Sequence, residues 1–195
     1  MNLNSPDPDH DLLRRCQLKE TAALAELIER RQQSLFQLAL RTIGGDAALA
    51  EEIVVDAFYK IWRNARDWRD GSPSSWMSRI VVRTALDARR SQQRRRKYET
   101  NAAALGPLQQ QRRQAALDPQ RQAEVREEQA QRASAIEQSL APLPPADRAL
   151  VHLYYYEERP LAEIALILQI TADAAKMRLS RIRQKLRRQQ DPAGE

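Results

Sequence analysis

The sequence predicts an all-α protein made of two small helical domains joined by a flexible linker, and three observations carry that prediction. Apolar residues recur at three- and four-residue spacing through the first half of the chain. A polar tract rich in Gln, Arg, Ala and Glu follows, from about residue 91 to 132, with Gly106, Pro107 and Pro119 as breakers. Beyond it, from Pro160 to Arg188, a short apolar helix pattern, a turn and a strongly basic helix pattern stand in sequence. The expected division is a polar leader over 1–10, a first domain over 11–97, a linker over 98–132 and a second domain over 133–190. The 195 residues leave room for two such domains.

Composition narrows the partners. A formal net charge of +6 favours a polyanion. Cys16 is the single cysteine, so an intramolecular disulfide and a cysteine-rich zinc site are both excluded. With Leu12 and Leu13 nearby, it suits a small core position rather than a reactive thiol. No run of about 18 apolar residues is present, and the first residues, MNLNSPDPDHD, are polar and acidic. A soluble, cytoplasmic protein without a signal peptide is expected.

In the first domain, Asp11 is expected to start a short helix carrying Leu12, Leu13 and Cys16, with a break at Lys19 and Glu20. A longer helix runs from about Thr21 to Ile43 and ends at Gly44 and Gly45, which supply a C-cap. Asp46 opens the next. There Ala50, Ile53, Val54, Ala57, Phe58, Ile61 and Trp62 form one broad stripe that requires a core, reaching to about Ala65. Glu51, Glu52, Asp56 and Tyr59, with Val55 among them, occupy the opposite face. Such acids either solvate the helix, the first two gaining from its N-terminus, or dock a protein.

RDWRDGSPSS, residues 66–75, loses periodicity and is read as a loop. Ser74 or Ser75 can cap the helix that follows. That helix places Trp76, Ile80, Ala85 and Leu86 inward or at a boundary and presents Arg79, Arg83, Arg89 and Arg90 outward, and Arg94 to Lys97 continue the charge. A loop carrying Trp68 and Arg69 beside a basic helix matches what unpaired nucleic acid requires, an aromatic face for stacking and cations along the backbone. Trp62 and Trp76 are read as core anchors. For Trp68, stacking platform and core residue both remain open.

From about Ser91 to Arg132 too few apolar residues are present to offset the entropy of ordering, apart from transient helix around 122–133. The second domain starts near Ala133, is interrupted by Pro142, Pro144 and Pro145, and resumes through Leu150, Val151 and Leu153 to Tyr156. Tyr154, Tyr155 and Tyr156 cannot all face inward on a helix, and His152 is assigned to packing. Pro160 suits a first helical position, Leu161, Ile164, Ala165 and Leu168 form an apolar face, and Gln169 and Ile170 break it. Thr171 can cap the last helix, in which Ala175, Leu179, Ile182 and Leu186 form the buried stripe. Lys176, Arg178, Arg181, Arg183, Lys185, Arg187 and Arg188 fill the rest, and no acid appears between Asp173 and Asp191. One buried stripe in an otherwise cationic surface suits the major groove, with the N-terminal half facing bases. There is no glycine-rich phosphate loop, metal-ligand cluster or nucleophile paired with a base, so no enzyme activity and no cofactor are expected.

Two segments, AALAEEIVVDAFYKIW with WMSRIVVRTALDARR, and LPPADRALVHLYYY with LAEIALILQITADAAKMRLSRIRQKLRR, resemble bacterial alternative sigma factors of the extracytoplasmic-function group. The resemblance covers most of the chain outside leader and linker. It implies a sigma-2 domain followed by a sigma-4 domain, a promoter-specificity subunit of RNA polymerase, and core polymerase and promoter DNA as partners. Polymerase docking on the clamp helices of the largest subunit maps to Glu52, Val55, Asp56 and Tyr59. The flap of the second-largest subunit is the other polymerase contact. Recognition and melting of the proximal promoter element map to Trp68, Arg69, Arg79, Arg83, Arg89 and Arg90, and recognition of the distal element to Thr171, Lys176, Arg178 and Arg181. Many relatives are restrained by a membrane-anchored anti-sigma factor, so the resemblance implies that partner as well.

The sequence departs from the usual pattern at four places. Val55 stands where Gln is common, Arg83 where Asn is common, Gln169 where the turn usually has Gly, and Ala174 with Ala175 where Thr-Val is frequent. Arg83 donates hydrogen bonds and cannot accept them, unlike Asn. Gln169 is strained if the turn needs positive φ. Two other classes keep a place beside the sigma factor: a dimeric helix-turn-helix regulator acting without polymerase, and a sigma mimic that binds only an anti-sigma protein. The basic surfaces argue against the mimic.

Overall fold

The computed structural model describes residues 8–69, 71–102 and 139–190, and among them every regular element is helical. The helices are α1 (Pro8–Gln17), α2 (Thr21–Ile43), α3 (Ala47–Arg63), α4 (Pro73–Ala102), α5 (Pro145–Tyr155), α6 (Leu161–Leu168) and α7 (Ala172–Gln190), with one 3-10 turn at Ala65–Asp67. The first four pack as one bundle and the last three as a second. The two bundles meet along a seam in which α5 lies on α2 and α6 lies on α4.

Local chemistry explains where the helices of the first bundle begin and end. α1 starts at Pro8, three residues before the expected Asp11, and this places Asp9 in its first turn. Asp9 is fully buried and takes the guanidinium groups of Arg30 and Arg31 from α2, the first of them at 3.3 Å. His10, expected in a polar leader, instead meets the Trp68 ring edge-on at 5.0 Å. α2 ends as expected: Gly44 takes the left-handed conformation with φ 91°, and the N–H groups of Gly44 and Gly45 both donate to the Leu40 carbonyl. Asp46 then caps α3, its carboxylate accepting from the Leu49 N–H at 3.1 Å. At the other end of α3, the Lys19 ammonium donates to the Trp62 carbonyl at 2.8 Å, where a cation complements the helix dipole.

The stripe on α3 is buried as its spacing requires, with Ala50, Ile53, Ala57 and Ile61 against α2 and α4. Cys16 is buried, and burial pushes its thiol up, which suits an inert core residue. α4 begins at Pro73 rather than after Ser74 or Ser75: the Ser72 hydroxyl accepts from the Ser75 N–H at 3.2 Å, and proline occupies the first helical position. It continues to Ala102, so the first residues of the expected linker, 98–102, are helical. The transient helix expected around 122–133 lies outside the described residues, as do the first residues of the expected second domain, 133–138.

In the second bundle, Leu150, Leu153, Ile164, Ile167, Leu179 and Ile182 form the interior. Tyr155 and Tyr156 are exposed and Tyr154 is half-buried, the division that three successive helical tyrosines demand. His152 is buried, 3.2 Å from Glu157. Burial alone would raise the Glu157 carboxyl, but the His152 hydrogen bond and the Arg159 charge together hold it below the usual carboxylate range.

Pro160 is the residue before α6 rather than its first helical one. The turn after α6 does need positive φ: Gln169 sits at φ 55°, ψ 47°, where a side chain costs about 1 kcal/mol or more. Gln169→Gly is expected to stabilise the domain by about 0.5 to 1 kcal/mol, the relief of strain being partly offset by the freer unfolded chain. A raised denaturation midpoint at unchanged slope is the result to look for. Thr171 caps α7 as expected, its hydroxyl accepting from the Ala174 N–H at 3.1 Å.

Candidate nucleic-acid and protein interfaces

Four sets of side chains lie at surfaces or at the seam. On α3, the face opposite the buried stripe carries Glu51, Glu52, Val55, Asp56 and Tyr59, all exposed. Val55 is 71% and Tyr59 59% exposed, so apolar and aromatic surface stands in water among three carboxylates. Asp56 pairs with Lys60 at 2.8 Å within the helix, and Lys60 also donates to the Thr84 hydroxyl at 3.1 Å. An exposed pair of this kind adds little stability and remains available to another cation. The four residues assigned to this site from sequence, Glu52, Val55, Asp56 and Tyr59, are thus brought onto one face.

The loop and helix that follow fare differently. Trp68 is 3% exposed, packed in the first bundle with its carbonyl accepting from the Gln17 amide at 2.7 Å. An indole held there cannot stack on a base, so the stacking role considered for Trp68 is withdrawn. Trp62 and Trp76, read as core anchors, are only half-buried. Periodicity could not reveal the burial of Trp68, because it falls in a stretch between breakers and is fixed by α1, whose Gln17 lies 51 residues away. Arg69 is exposed beside it, and on α4 Arg83 and Arg90 are exposed while Arg79 and Arg89 are half-buried. Arg94 and Arg95 extend the same cationic helix into solvent.

On α7 the buried stripe of Ala175, Leu179 and Ile182, with Leu186 half-buried, seats the helix on α5 and α6. Lys176 and Arg181 are exposed. Arg178 leans back towards α5, 3.9 Å from Asp147. Arg183 is committed elsewhere: it donates to the Tyr155 hydroxyl at 2.8 Å and lies over the rings of Tyr154 and Tyr155. Thr171 serves as helix cap, and its hydroxyl is engaged by the Ala174 N–H.

The seam contains residues the sequence did not single out. Arg148, from the first turn of α5, is buried and donates from Nε and Nη2 to the Thr42 carbonyl at 3.1 and 2.9 Å. Its Nη1 donates to the Leu143 and Ala141 carbonyls at 2.8 and 3.2 Å. The guanidinium thus closes the C-terminus of α2, where carbonyls lack helical partners and a cation is favourable. Burial, and then the charge of Arg89, push Arg148 below its ordinary value. A Cβ on Gly44 would lie 3.3 Å from this guanidinium, so glycine serves both the left-handed turn and the close approach. At the other end of the seam, Arg159 donates to the hydroxyls of Ser74 at 2.6 Å and Ser78 at 3.2 Å, and pairs with Glu163, which also accepts from Ser75.

Among the described residues, no group of three His, Cys, Asp or Glu side chains could hold a metal ion. No helix there is long and apolar enough to cross a membrane.

Comparison with known proteins agrees with this arrangement. The family model for Sigma-70 region 2 matches residues 27–95, and that for Sigma-70, region 4 matches residues 139–188. The chain is 28% identical over 100 residues to the ECF RNA polymerase sigma factor SigK of Mycobacterium sp. (strain KMS), a match covering 49% of this chain and 51% of that protein. The same figures hold for the protein of that name from Mycobacterium sp. (strain JLS). The chain thus spans about half the length of the curated relatives it matches. Among solved structures, that of CnrH in complex with the cytosolic domain of CnrY superposes with a TM-score of 0.67 at 20% identity, covering 96% of this chain and all of CnrH. The sigma factor RpoE in complex with the anti-sigma factor NepR from Bartonella quintana gives 0.58 at 18% identity, covering 88% of this chain and 98% of that one. At such identities the two structures share the fold.

Proposed function

The chain belongs to the sigma-70 family, in its extracytoplasmic-function group, and from that premise we propose that it acts as an alternative sigma factor. It binds core RNA polymerase, recognises a proximal and a distal promoter element, and directs transcription initiation in the cytoplasm. Its action is non-covalent: phosphate contacts set register, base contacts select sequence, and affinity for an unpaired strand favours melting. The observation that carries this reading is the coexistence, on one basic chain, of an acidic face with exposed Val55 and Tyr59 and a capped helix-turn-helix with a cationic outer surface. A regulator that bound duplex DNA alone would have no use for the first.

The polymerase face is Glu52, Val55, Asp56 and Tyr59 on α3, against the clamp helices of the largest subunit, while the second bundle meets the flap of the second-largest. The proximal element is engaged by Arg69, Arg83 and Arg90, with Arg79 and Arg89 beside them and Trp68 holding the loop from beneath. The distal element lies along α7. An anti-sigma factor is the remaining partner, as RpoE has in its complex with NepR, and the closed seam is a form such a protein could hold.

Lys176 and Arg178 fall on opposite flanks of α7, which suits phosphates rather than bases. Lys176→Ala is therefore expected to weaken binding about equally on all sequences and to lower the salt slope by about 1. A loss confined to one promoter sequence would show a base contact instead.

The experiment that tests the proposal mixes the purified chain with bacterial core polymerase and fragmented genomic DNA and isolates the polymerase-bound fraction. Retention of chain, polymerase and a discrete subset of fragments together is the expected result. DNA held without polymerase would replace it with a helix-turn-helix regulator, and capture of an anti-sigma protein alone with a sigma mimic.

A further inference from the structure

The exposed apolar side chains of this protein are mostly accounted for. Val55 and Tyr59 belong to the acidic face of α3, Tyr155 holds Arg183, and Tyr156 carries the Arg41 guanidinium 3.8 Å from its ring centroid. Met177 is not. It is 61% exposed, the sole large apolar side chain so exposed among the described residues of α7, and apart from Ala172 and Ala174 in the first turn the rest of that helix's outer surface is polar or charged.

Its place on the helix is informative. With about 100° between successive residues, Met177 and Gln184 fall opposite the stripe of Ala175, Leu179 and Ile182, with Asp173, Ser180 and Arg181 beside them. Lys176 and Arg178 fall to either side, the latter drawn towards Asp147. The side chain that projects furthest from the core in the N-terminal half of α7 is therefore the thioether and not a cation. When such a helix enters the major groove, that half faces the base edges.

A thioether has no donor and is a poor acceptor, so it cannot read the hydrogen-bonding groups of a base. The apolar feature that the major groove presents is the C5-methyl of thymine, absent from cytosine, guanine and adenine. Three rotatable bonds and a polarisable sulfur let methionine settle on such a methyl without strain. Arg181 lies one turn further on, where it can donate to a neighbouring guanine or a phosphate.

We propose that Met177 is a specificity-determining residue that selects a thymine in the distal promoter element by packing on its C5-methyl. This rests on the assignment of α7 to that element.

The test uses the full chain bound to core polymerase. Sequence selection first defines the distal element, and each thymine in it is then replaced singly by deoxyuridine, which removes the methyl and nothing else. At one position the wild type is expected to lose about fourfold in affinity, the equivalent of one buried methyl. Met177→Ala loses a similar factor on the thymine duplex and is indifferent to the replacement, while Met177→Leu restores the sensitivity. The side chain is exposed, so these variants fold. Equal thymine-to-uracil losses in wild type and Met177→Ala would overturn this proposal alone. A wild-type chain that retains polymerase yet selects no distal element would overturn the assignment of α7, and this proposal with it.

Discussion

Glu52→Lys combined with Asp56→Lys abolishes retention of the chain on core RNA polymerase and leaves its thermal unfolding unchanged. The first half of that expectation comes from charge. The two substitutions turn two carboxylates into two ammonium groups on the face that carries Val55 and Tyr59, and like charges brought together at an interface cost several kcal/mol, about a thousandfold or more in affinity. The second half comes from exposure. Both residues are in solvent, and the one ion pair lost, Asp56 with Lys60, is an exposed pair within one helix, worth about 0.5 kcal/mol or less. Asp56→Asn with Glu52→Gln separates charge from repulsion and is expected to weaken binding without abolishing it. Core-polymerase pull-down beside a melting curve checks both halves. Unchanged retention of the double-lysine variant would remove the polymerase contact from this face.

Arg148→Ala is expected to part the two bundles. The guanidinium satisfies the Thr42 and Leu143 carbonyls, which are buried once the seam is closed, and reaches the Ala141 carbonyl at its edge. Leaving the two buried carbonyls unpaired costs about 1 kcal/mol or more each, so the closed arrangement loses about 2 kcal/mol, which opening recovers by hydration. Arg148→Lys cannot reach all three and is expected to open the seam partway, because an ammonium on a single stem lacks the planar fork. Small-angle scattering should give a larger radius for Arg148→Ala, and the amides at the C-terminus of α2 should exchange faster. A radius and exchange pattern equal to those of the wild type would show that apolar packing and the Arg159 cluster hold the bundles together without Arg148.

How much of this was legible depended on how local each cause is. The bounds of α2 could be read because Gly44 and Gly45 follow its last apolar position, and those of α7 because Thr171 precedes its stripe. The broad stripe of α3 announced a core on one side, and so exposed Glu52, Val55, Asp56 and Tyr59 on the other. The cap of α4 is Ser72 and not one of the serines after Pro73, and proline at a first helical position points to the residue before it. Trp68 was undecidable for a different reason: its burial depends on Gln17 and His10 of α1, partners that no pattern within the loop encodes. The seam is the extreme case. Arg148 meets Thr42 across 106 residues and Arg159 meets Ser75 across 84, pairings that only the assembled fold brings together. Met177 was hidden in plain view among cations, and its significance follows only once the stripe beneath it is fixed.

If this chain lets core polymerase start at chosen promoters, run-off transcription will reveal it. Purified chain and bacterial core polymerase are supplied with fragmented source genomic DNA, and the start sites are mapped. Discrete starts that share two upstream motifs, and that vanish when the chain or the acidic face of α3 is removed, are the expected result. Starts that are the same with and without the chain, despite confirmed DNA binding, would contradict it.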